Sequence, residues 1–146
     1  DERSKTHKTN QYEGLKLLEL IQSFRAIYQK NNLEMTTNSI GIITPYRAQI
    51  AQIRQQLLAE NIDVESLTID TVERYQGGAR DIILISLCTN NFSQIDSLVS
   101  MSEEGVDRKL NVALTRARKH LVVLGNRELL MSNSIYANLI QTIESV

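Results

Sequence analysis

The segment from Thr71 to Gly78 carries the side chains best suited to phosphate chemistry. Thr71 offers a hydroxyl, and Gln76 offers an amide that can orient water or bind a phosphate oxygen. The paired glycines Gly77 and Gly78 allow a backbone to approach a phosphate closely. The same Gln-Gly-Gly run is also typical of an ordinary tight turn, so the segment alone leaves both interpretations open.

The densest run of basic residues is the second candidate for chemistry. Asp107 can cap a helix whose apolar residues recur at helical spacing from Leu110 to Ala117. On such a helix Arg116 and Arg118 lie about 160° apart, on opposite flanks of the apolar stripe, so they do not easily reach one small cleft together. On composition alone, a basic helix end is equally compatible with a solvated face that suits the helix dipole.

Several kinds of site are excluded by the sequence. The phosphate-cradle motif GxxxxGK[ST] and the dinucleotide motif GxGxxG are both absent. His7 and His120 are the only histidines, and neither stands at a metal-ligand spacing, so we expect no metal site. Cys88 is the only cysteine, which excludes an internal disulfide and favours a reducing, cytoplasmic location. We interpret Cys88 as a buried, small hydrophobic residue at a strand end.

Length and charge limit the possible architecture and partners. The 146 residues, of which 42% are hydrophobic, predict one domain over 1–146 with its own core. Sixteen basic and seventeen acidic residues leave a net charge of -1, which argues against a domain that holds nucleic acid by bulk electrostatics alone. No apolar run approaches the roughly 18 residues that span a bilayer, so we expect no membrane association. The polar residues 1–10 are typical of the cut end of a longer protein.

The elements that must position these residues alternate between helices and strands. Asn10 and Glu13 predict a capping box at the start of the first helix, which should end near Asn31 and Asn32. A second helix is predicted after Pro45, to about residue 61, and a last one from residue 134. The predicted strands are 39–44, 64–69, 81–87 and 120–125. This order predicts a mainly parallel sheet with helices on both faces, and such sheets bind ligands beyond the carboxyl ends of their strands.

Three segments together resemble the second RecA-like domain of superfamily 1 helicases. They are IGIITPYRAQI (40–50), TVERYQGGARDIILIS (71–86) and RKLNVALTRARKHLVVLGN (108–126). The last two are similar to helicase motifs V and VI. The type is that of superfamily 1B, the nonsense-mediated-decay helicases and their DNA-helicase relatives of the AAA family. The similarity extends over nearly the whole chain and weakens in 89–106.

The resemblance implies a three-layer RecA-like P-loop NTPase fold without its own Walker A motif. It further implies the C-terminal motor domain of an ATP-dependent DNA or RNA helicase. ATP and Mg²⁺ are then expected in a cleft shared with an N-terminal RecA-like domain of the same chain. Arg116 matches the arginine finger, and Gln76 and Gly77 match residues that sense the γ-phosphate.

The resemblance also implies a surface for single-stranded DNA or RNA. Thr44, Pro45 and Thr71 match positions that contact the nucleic acid backbone. Backbone contacts hold a strand without reading its sequence, as a translocating motor requires.

Two residues depart from the family pattern. Asp commonly stands at the position of Glu73 and Glu at that of Ala79, so an acidic contact expected near the nucleotide is missing. The Walker motifs are expected before residue 1. The alternative to a motor is a non-catalytic α/β adaptor or regulatory module derived from a helicase. A fused nuclease would lie elsewhere, because the chain has no paired carboxylates at metal-site spacing.

We predict that the isolated chain neither binds ATP tightly nor hydrolyses it, because it has no phosphate cradle and a finger arginine offers a single charge. Titration calorimetry with ATP and Mg²⁺ should therefore show no binding in the micromolar range. A micromolar dissociation constant would contradict the prediction.

Overall fold

The computed structural model describes residues 8–71, 74, 78–90 and 114–145. Its helices and strands are α1 (Gln11–Lys30), β1 (Ile40–Thr44), α2 (Arg47–Ala59), β2 (Thr68–Thr71), β3 (Arg80–Ser86), β4 (Ala117–Leu124), α3 (Arg127–Met131) and α4 (Ser134–Glu144). A single 3₁₀ turn, Val64–Ser66, precedes β2.

The four described strands form one parallel sheet in the order β2-β1-β3-β4. β1 is central and pairs with β2 on one side and β3 on the other, with Ile43 opposite both Asp70 and Ile85. The predicted parallel sheet is therefore confirmed. The most apolar predicted strand, 81–87, corresponds to β3, displaced by one residue at each end.

Helices cover both faces of this sheet. On one face α1 and α2 pack against alternate residues of the central strands, including Ile42 and Leu84. On the other face α3 and α4 cover the intervening residues, including Ile83 and Ile85. Successive side chains of a strand point to opposite faces, so a strand covered on both sides must be apolar throughout. The result is the three-layer α/β architecture expected of a RecA-like fold.

The ends of the first two helices lie where the sequence predicts them. The Asn10 side chain accepts a hydrogen bond from the Glu13 N–H and caps α1. Asn32 and Asn61 follow the ends of α1 and α2 with φ angles of 55° and 57°. Asparagine tolerates this left-handed conformation better than most residues, which explains why both helices stop there.

The predicted strand 64–69 is partly wrong. Its first half forms the 3₁₀ turn, because the Asp63 side chain accepts from the Glu65 N–H and the Ser66 hydroxyl donates to the Asp63 carbonyl. These local hydrogen bonds compete with strand pairing. β2 begins only at Thr68 and extends to Thr71.

The start of β4 differs from the prediction in a way that affects the arginines. β4 begins at Ala117 rather than at residue 120, so Arg118 lies in a strand and not on a helix. The predicted separation of Arg116 and Arg118 around a helix is therefore wrong. Most of the helix predicted from Asp107 lies outside the described residues. The short helix α3, capped by Asn126, was not predicted, since five residues are too few to show a helical period.

Candidate functional surfaces at the two ends of the sheet

Two of the predicted nucleic acid contacts lie side by side at the carboxyl end of the sheet. Thr44 and Thr71 are ladder partners at the ends of β1 and β2. Thr44 is fully buried, and its hydroxyl has no hydrogen-bond partner among the described residues. The Thr71 hydroxyl accepts from the Arg74 N–H at 3.3 Å. Pro45, half-buried, follows Thr44 directly.

Helix α2 begins at the same end of the sheet without a side-chain cap. Its N-cap residue, Tyr46, makes no capping hydrogen bond through its side chain, and its first turn contains no acidic residue. The first N–H groups of an α-helix have no partner within the helix, and they carry a partial positive charge. The carboxyl end of β1 therefore presents the first amide groups of α2 beside the Thr44 hydroxyl, which has no partner among the described residues.

A buried carboxylate holds the neighbouring end of β3. Glu13, in the first turn of α1, accepts from the Ser86 hydroxyl at 2.8 Å and from the N–H groups of Cys88 and Thr89 at 2.8 and 3.0 Å. Burial raises the pKa of Glu13 above its ordinary value, and these hydrogen bonds partly oppose that rise. Cys88 is buried, as predicted, and has a φ angle of 57°. The carboxylate thus fixes the chain where it turns sharply out of the sheet.

Gln49 connects this carboxylate to the start of α2. Its side-chain amide donates to the Asn10 carbonyl and the Ser86 hydroxyl, and its oxygen accepts from the Asn10 N–H at 2.8 Å. The capping box predicted for Asn10 and Glu13 is therefore only half correct. Glu13 does not reach back to the Asn10 N–H, because that N–H already donates to Gln49. The Glu13 carboxylate instead accepts hydrogen bonds from residues at the end of β3.

The network extends to the end of β4. The Thr89 hydroxyl accepts from the N–H of Asn126, the residue that caps α3. The Asn10 side chain donates to the Asn90 side chain at 2.8 Å. The exits of β3 and β4 and the starts of α1 and α2 are thus joined by one set of polar contacts. Sequence reasoning missed Gln49, since a single amide within a helical stripe carries no distinctive signal.

Arg116 lies at the opposite, amino end of the sheet. It occupies a turn just before β4, is exposed, and its guanidinium has no hydrogen bond or ion pair within the described parts of the chain. Its carbonyl accepts from the Arg80 N–H at 2.9 Å. The residue that the resemblance assigns to the nucleotide is therefore exposed and unpaired.

Arg118 lies close by but is paired. Its guanidinium donates to the Ala79 carbonyl at 2.8 Å and lies 3.7 Å from the carboxylate of Asp81. The Tyr28 hydroxyl donates to the same carboxylate at 2.9 Å. Arg116 is therefore more available to another molecule than Arg118. The difference arises because Arg118 lies in β4, beside Ala79 and Asp81, and not because the two arginines lie on opposite flanks of a helix.

Gln76 and Gly77 lie outside the described residues. The chain on both sides of them is described: Thr71 ends β2 at the carboxyl end of the sheet, and Arg80 begins β3 at the amino end. Because β2 and β3 both run parallel to β1, residues 72–79 connect the two ends of the sheet. β3 has 7 residues, and a strand rises about 3.3 Å per residue, so these ends lie about 20 Å apart.

Neither a metal site nor a membrane span is found in the described parts of the chain. No group of three or more His, Cys, Asp or Glu residues there could hold a metal ion. No described helix is both long enough and apolar enough to cross a bilayer.

Comparison with known proteins identifies the family. Residues 1–128 match the model of an AAA domain family. The chain belongs to this family of superfamily 1 helicase-like domains. The match includes all three segments that resemble helicase motifs, together with both ends of the sheet.

Curated relatives of the chain are named as helicases. It is 40% identical over 93 residues to the DNA polymerase alpha-associated DNA helicase A of Saccharomyces cerevisiae, covering 64% of this chain and 13% of the relative. It is 36% identical over 107 residues to an uncharacterized ATP-dependent helicase of Methanocaldococcus jannaschii, covering 73% and 14%. It is 36% identical over 117 residues to the probable RNA helicase armi of Drosophila melanogaster, covering 79% and 9%. The chain thus spans only a small part of the length of these relatives.

The buried carboxylate predicts a specific effect of pH on stability. Replacing Glu13 by Gln keeps the size of the side chain but sets an amide NH₂ against backbone N–H donors. We expect Glu13→Gln to lower the free energy of unfolding by about 1–3 kcal/mol. The raised pKa means that the folded state holds the Glu13 proton more tightly than the unfolded state does. The wild type therefore loses stability as the pH rises from the ordinary value of 4.5 through the pKa of the folded state.

Urea unfolding at several pH values between about 4.5 and 7 measures both effects. The difference in the free energy of unfolding between the wild type and Glu13→Gln should become smaller as the pH rises through this range. Glu19→Gln is the matched control, because Glu19 lies on the same helix but is exposed and pairs only with Lys16. A difference that is independent of pH would show that the Glu13 carboxyl does not titrate as described.

Proposed function

We propose that the chain is the C-terminal RecA-like motor domain of a longer ATP-dependent helicase. In this proposal it works with an N-terminal RecA-like domain of the same protein on single-stranded DNA or RNA. The observation that carries the proposal is the state of Arg116. Its guanidinium is exposed and has no partner in the described parts of the chain, while that of Arg118, two residues on, is bound to a carbonyl and a carboxylate. An exposed arginine without such partners is available to another molecule.

The amino end of the sheet fits the phosphates of ATP. The guanidiniums of Arg80 and Arg118 donate to carbonyls of the segment that follows Gln76 and Gly77, and the Arg116 carbonyl accepts from the Arg80 N–H. Among the described residues only one carboxylate, that of Asp81, lies within 4 Å of these guanidiniums. This end therefore has an excess of positive charge, which a polyphosphate would neutralise.

Each residue at this end has a distinct role in the proposal. Bound ATP, with its Mg²⁺, supplies the phosphoanhydride bond whose hydrolysis drives the motor. Arg116 extends from its turn and stabilises negative charge on the transferring γ-phosphoryl group. The Gln76 amide and the Gly77 backbone would contact the γ-phosphate, as the resemblance implies. Without Glu at position 79, this chain offers no carboxylate at that position.

The carboxyl end of the sheet fits the backbone of a single strand. The uncapped start of α2 offers amide N–H donors to a phosphate, next to Pro45 and the two threonine hydroxyls. Burying a hydroxyl without a partner costs about 1–3 kcal/mol. The Thr44 hydroxyl carries this cost, and a shift that exposes it to a phosphate oxygen would recover it. Contacts of this kind hold nucleic acid by its backbone, independent of base sequence.

We predict that Arg116→Ala in the longer protein lowers the rate of ATP hydrolysis by about a thousandfold, since an arginine finger acts mainly on the transition state. The affinity for single strands should change less than twofold, because Arg116 lies at the other end of the sheet. Steady-state ATPase assays and fluorescence anisotropy measure the two effects.

Arg54→Ala provides the control for this test, because Arg54 is also exposed but lies on α2. It should leave both quantities unchanged. If Arg116→Ala leaves ATP hydrolysis intact, the proposal of a motor domain fails and the adaptor alternative is favoured.

We predict that the double change Thr44→Val and Thr71→Val weakens binding of single strands by the longer protein by at least about thirtyfold, since each of the two lost hydrogen bonds to a charged group is worth roughly 1 kcal/mol or more. Valine preserves the β-branched shape and removes both hydroxyls. The loss should be similar for strands of different sequence, because backbone contacts carry no base information.

Anisotropy titrations with strands of several compositions test this prediction. Thr142→Val is the control, because the Thr142 hydroxyl bonds only to its own helix, at the Asn138 carbonyl. Unchanged binding, or a loss confined to particular sequences, would contradict the assignment of Thr44 and Thr71.

A further inference from the structure

We propose that Arg80 is a positioning residue for the nucleotide end of the sheet. Its guanidinium holds the Gly78 and Ala79 carbonyls, and its backbone N–H holds the Arg116 carbonyl. Arg80 would thereby hold in place both the Gly78–Ala79 stretch, which follows Gln76 and Gly77, and the turn that contains Arg116. This inference rests on the proposed motor function and adds a residue to it.

The Arg80 side chain bridges two elements. Its Nη1 donates to the Gly78 carbonyl at 3.0 Å and to the Ala79 carbonyl at 3.2 Å. Its Nε and Nη2 both reach the Thr68 hydroxyl, on β2, at 3.4 Å. The guanidinium thus lies between the first residue of β2 and the chain that leads into β3.

These contacts require a guanidinium rather than another cation. Its planar fork carries five N–H donors in a fixed geometry, so it can bond to two carbonyls on one side and a hydroxyl on the other. The ammonium of a lysine is a point charge with three donors and cannot span the same set. The Ala79 carbonyl also accepts from Arg118 at 2.8 Å, so two cations fix this one peptide.

The backbone of Arg80 provides the link to Arg116. The Arg80 N–H donates to the Arg116 carbonyl at 2.9 Å, directly before Arg80 pairs with Ala117. Beyond this pair the register shifts, since Ile82 pairs with His120. β4 therefore holds one extra residue opposite β3, and irregularities of this kind redirect the side chains next to them.

The positive charge of the Arg80 guanidinium is not offset by a partner of opposite charge among the described residues. Its partners are two neutral carbonyls and a hydroxyl, and none of the described carboxylates pairs with it. Arg80 therefore stabilises the chain next to Arg116 without lowering the positive potential there. A carboxylate in the same place could not bond to these carbonyls, since it has no donor, and it would repel a phosphate.

The first test examines the geometry in the isolated chain. Proton exchange of the arginine Nε–H groups can be followed by NMR. We expect slower exchange at Arg80 than at Arg116, because the Arg80 Nε–H is bonded to Thr68 and Arg116 has no such partner. Equal exchange rates at the two residues would overturn the proposal without affecting the proposed function.

The second test measures the role in the longer protein with a double-mutant cycle. Arg80→Lys should lower kcat for ATP hydrolysis by about tenfold and change KM less than twofold, since a misplaced catalytic group reduces the chemical rate more than substrate binding. In an Arg116→Ala background the same change should lower kcat less than twofold, because Arg80 acts through Arg116. Arg54→Lys is the control and should leave kcat unchanged.

The outcomes separate the two proposals. A loss of equal size in both backgrounds, or no loss in either, would overturn the positioning role while Arg116→Ala still reports on the motor function. A wild type without ATPase activity would overturn both.

Thr68→Val, which removes the hydroxyl but no charge, should reproduce part of the Arg80→Lys effect, and Thr68→Ser should restore the wild-type rate. Identical rates for Thr68→Val and the wild type would show that the anchor on β2 has no role.

Discussion

The carboxyl end of this sheet depends on one buried carboxylate. β1 connects to β2 on one side and β3 to β4 on the other, so the connections diverge between β1 and β3. In open parallel sheets such a point leaves a crevice that commonly binds ligands. Here Glu13 and Gln49 fill it and bind Ser86, Cys88 and Thr89. The crevice is therefore structural, and the groups left for a ligand lie beside it, at the ends of β1 and β2.

The two candidate surfaces both carry positive charge. At the amino end it comes from arginine side chains, which hold full charges. At the carboxyl end Arg47 begins α2 and Arg74 follows Thr71, and the uncapped start of α2 adds partial charges on its N–H groups. The net charge of the chain is nevertheless -1. In the proposed function, the domain therefore orients a strand by local contacts and not by its net charge.

The sequence predicts the parallel sheet, because continuous apolar runs and helical stripes are local patterns, but its second strand, 64–69, stops short of Thr71. It predicts the Asn10 cap for the same reason. The partners of Glu13 could not be predicted, since the Thr89 N–H that it accepts lies 76 residues away. The placement of Arg118 was wrong because basic residues after an apolar stripe also fit a helix. Pairing with β3 places Arg118 in a strand, and such long-range pairing cannot be predicted from a local sequence pattern.

The all-parallel sheet also determines how the chain can fold. Ile40 pairs with Ile82, and Ile85 with Val123, so no pair of neighbouring strands is joined by a hairpin. Each ladder closes a long loop before it gains a contact, which makes folding slow compared with that of helical bundles. During synthesis β1 emerges well before β3, so one edge of β1 stays unpaired until β3 follows β2. An apolar strand with an unpaired edge is prone to aggregation, and the early helices α1 and α2 are able to cover one face of Ile40–Thr44 in that interval.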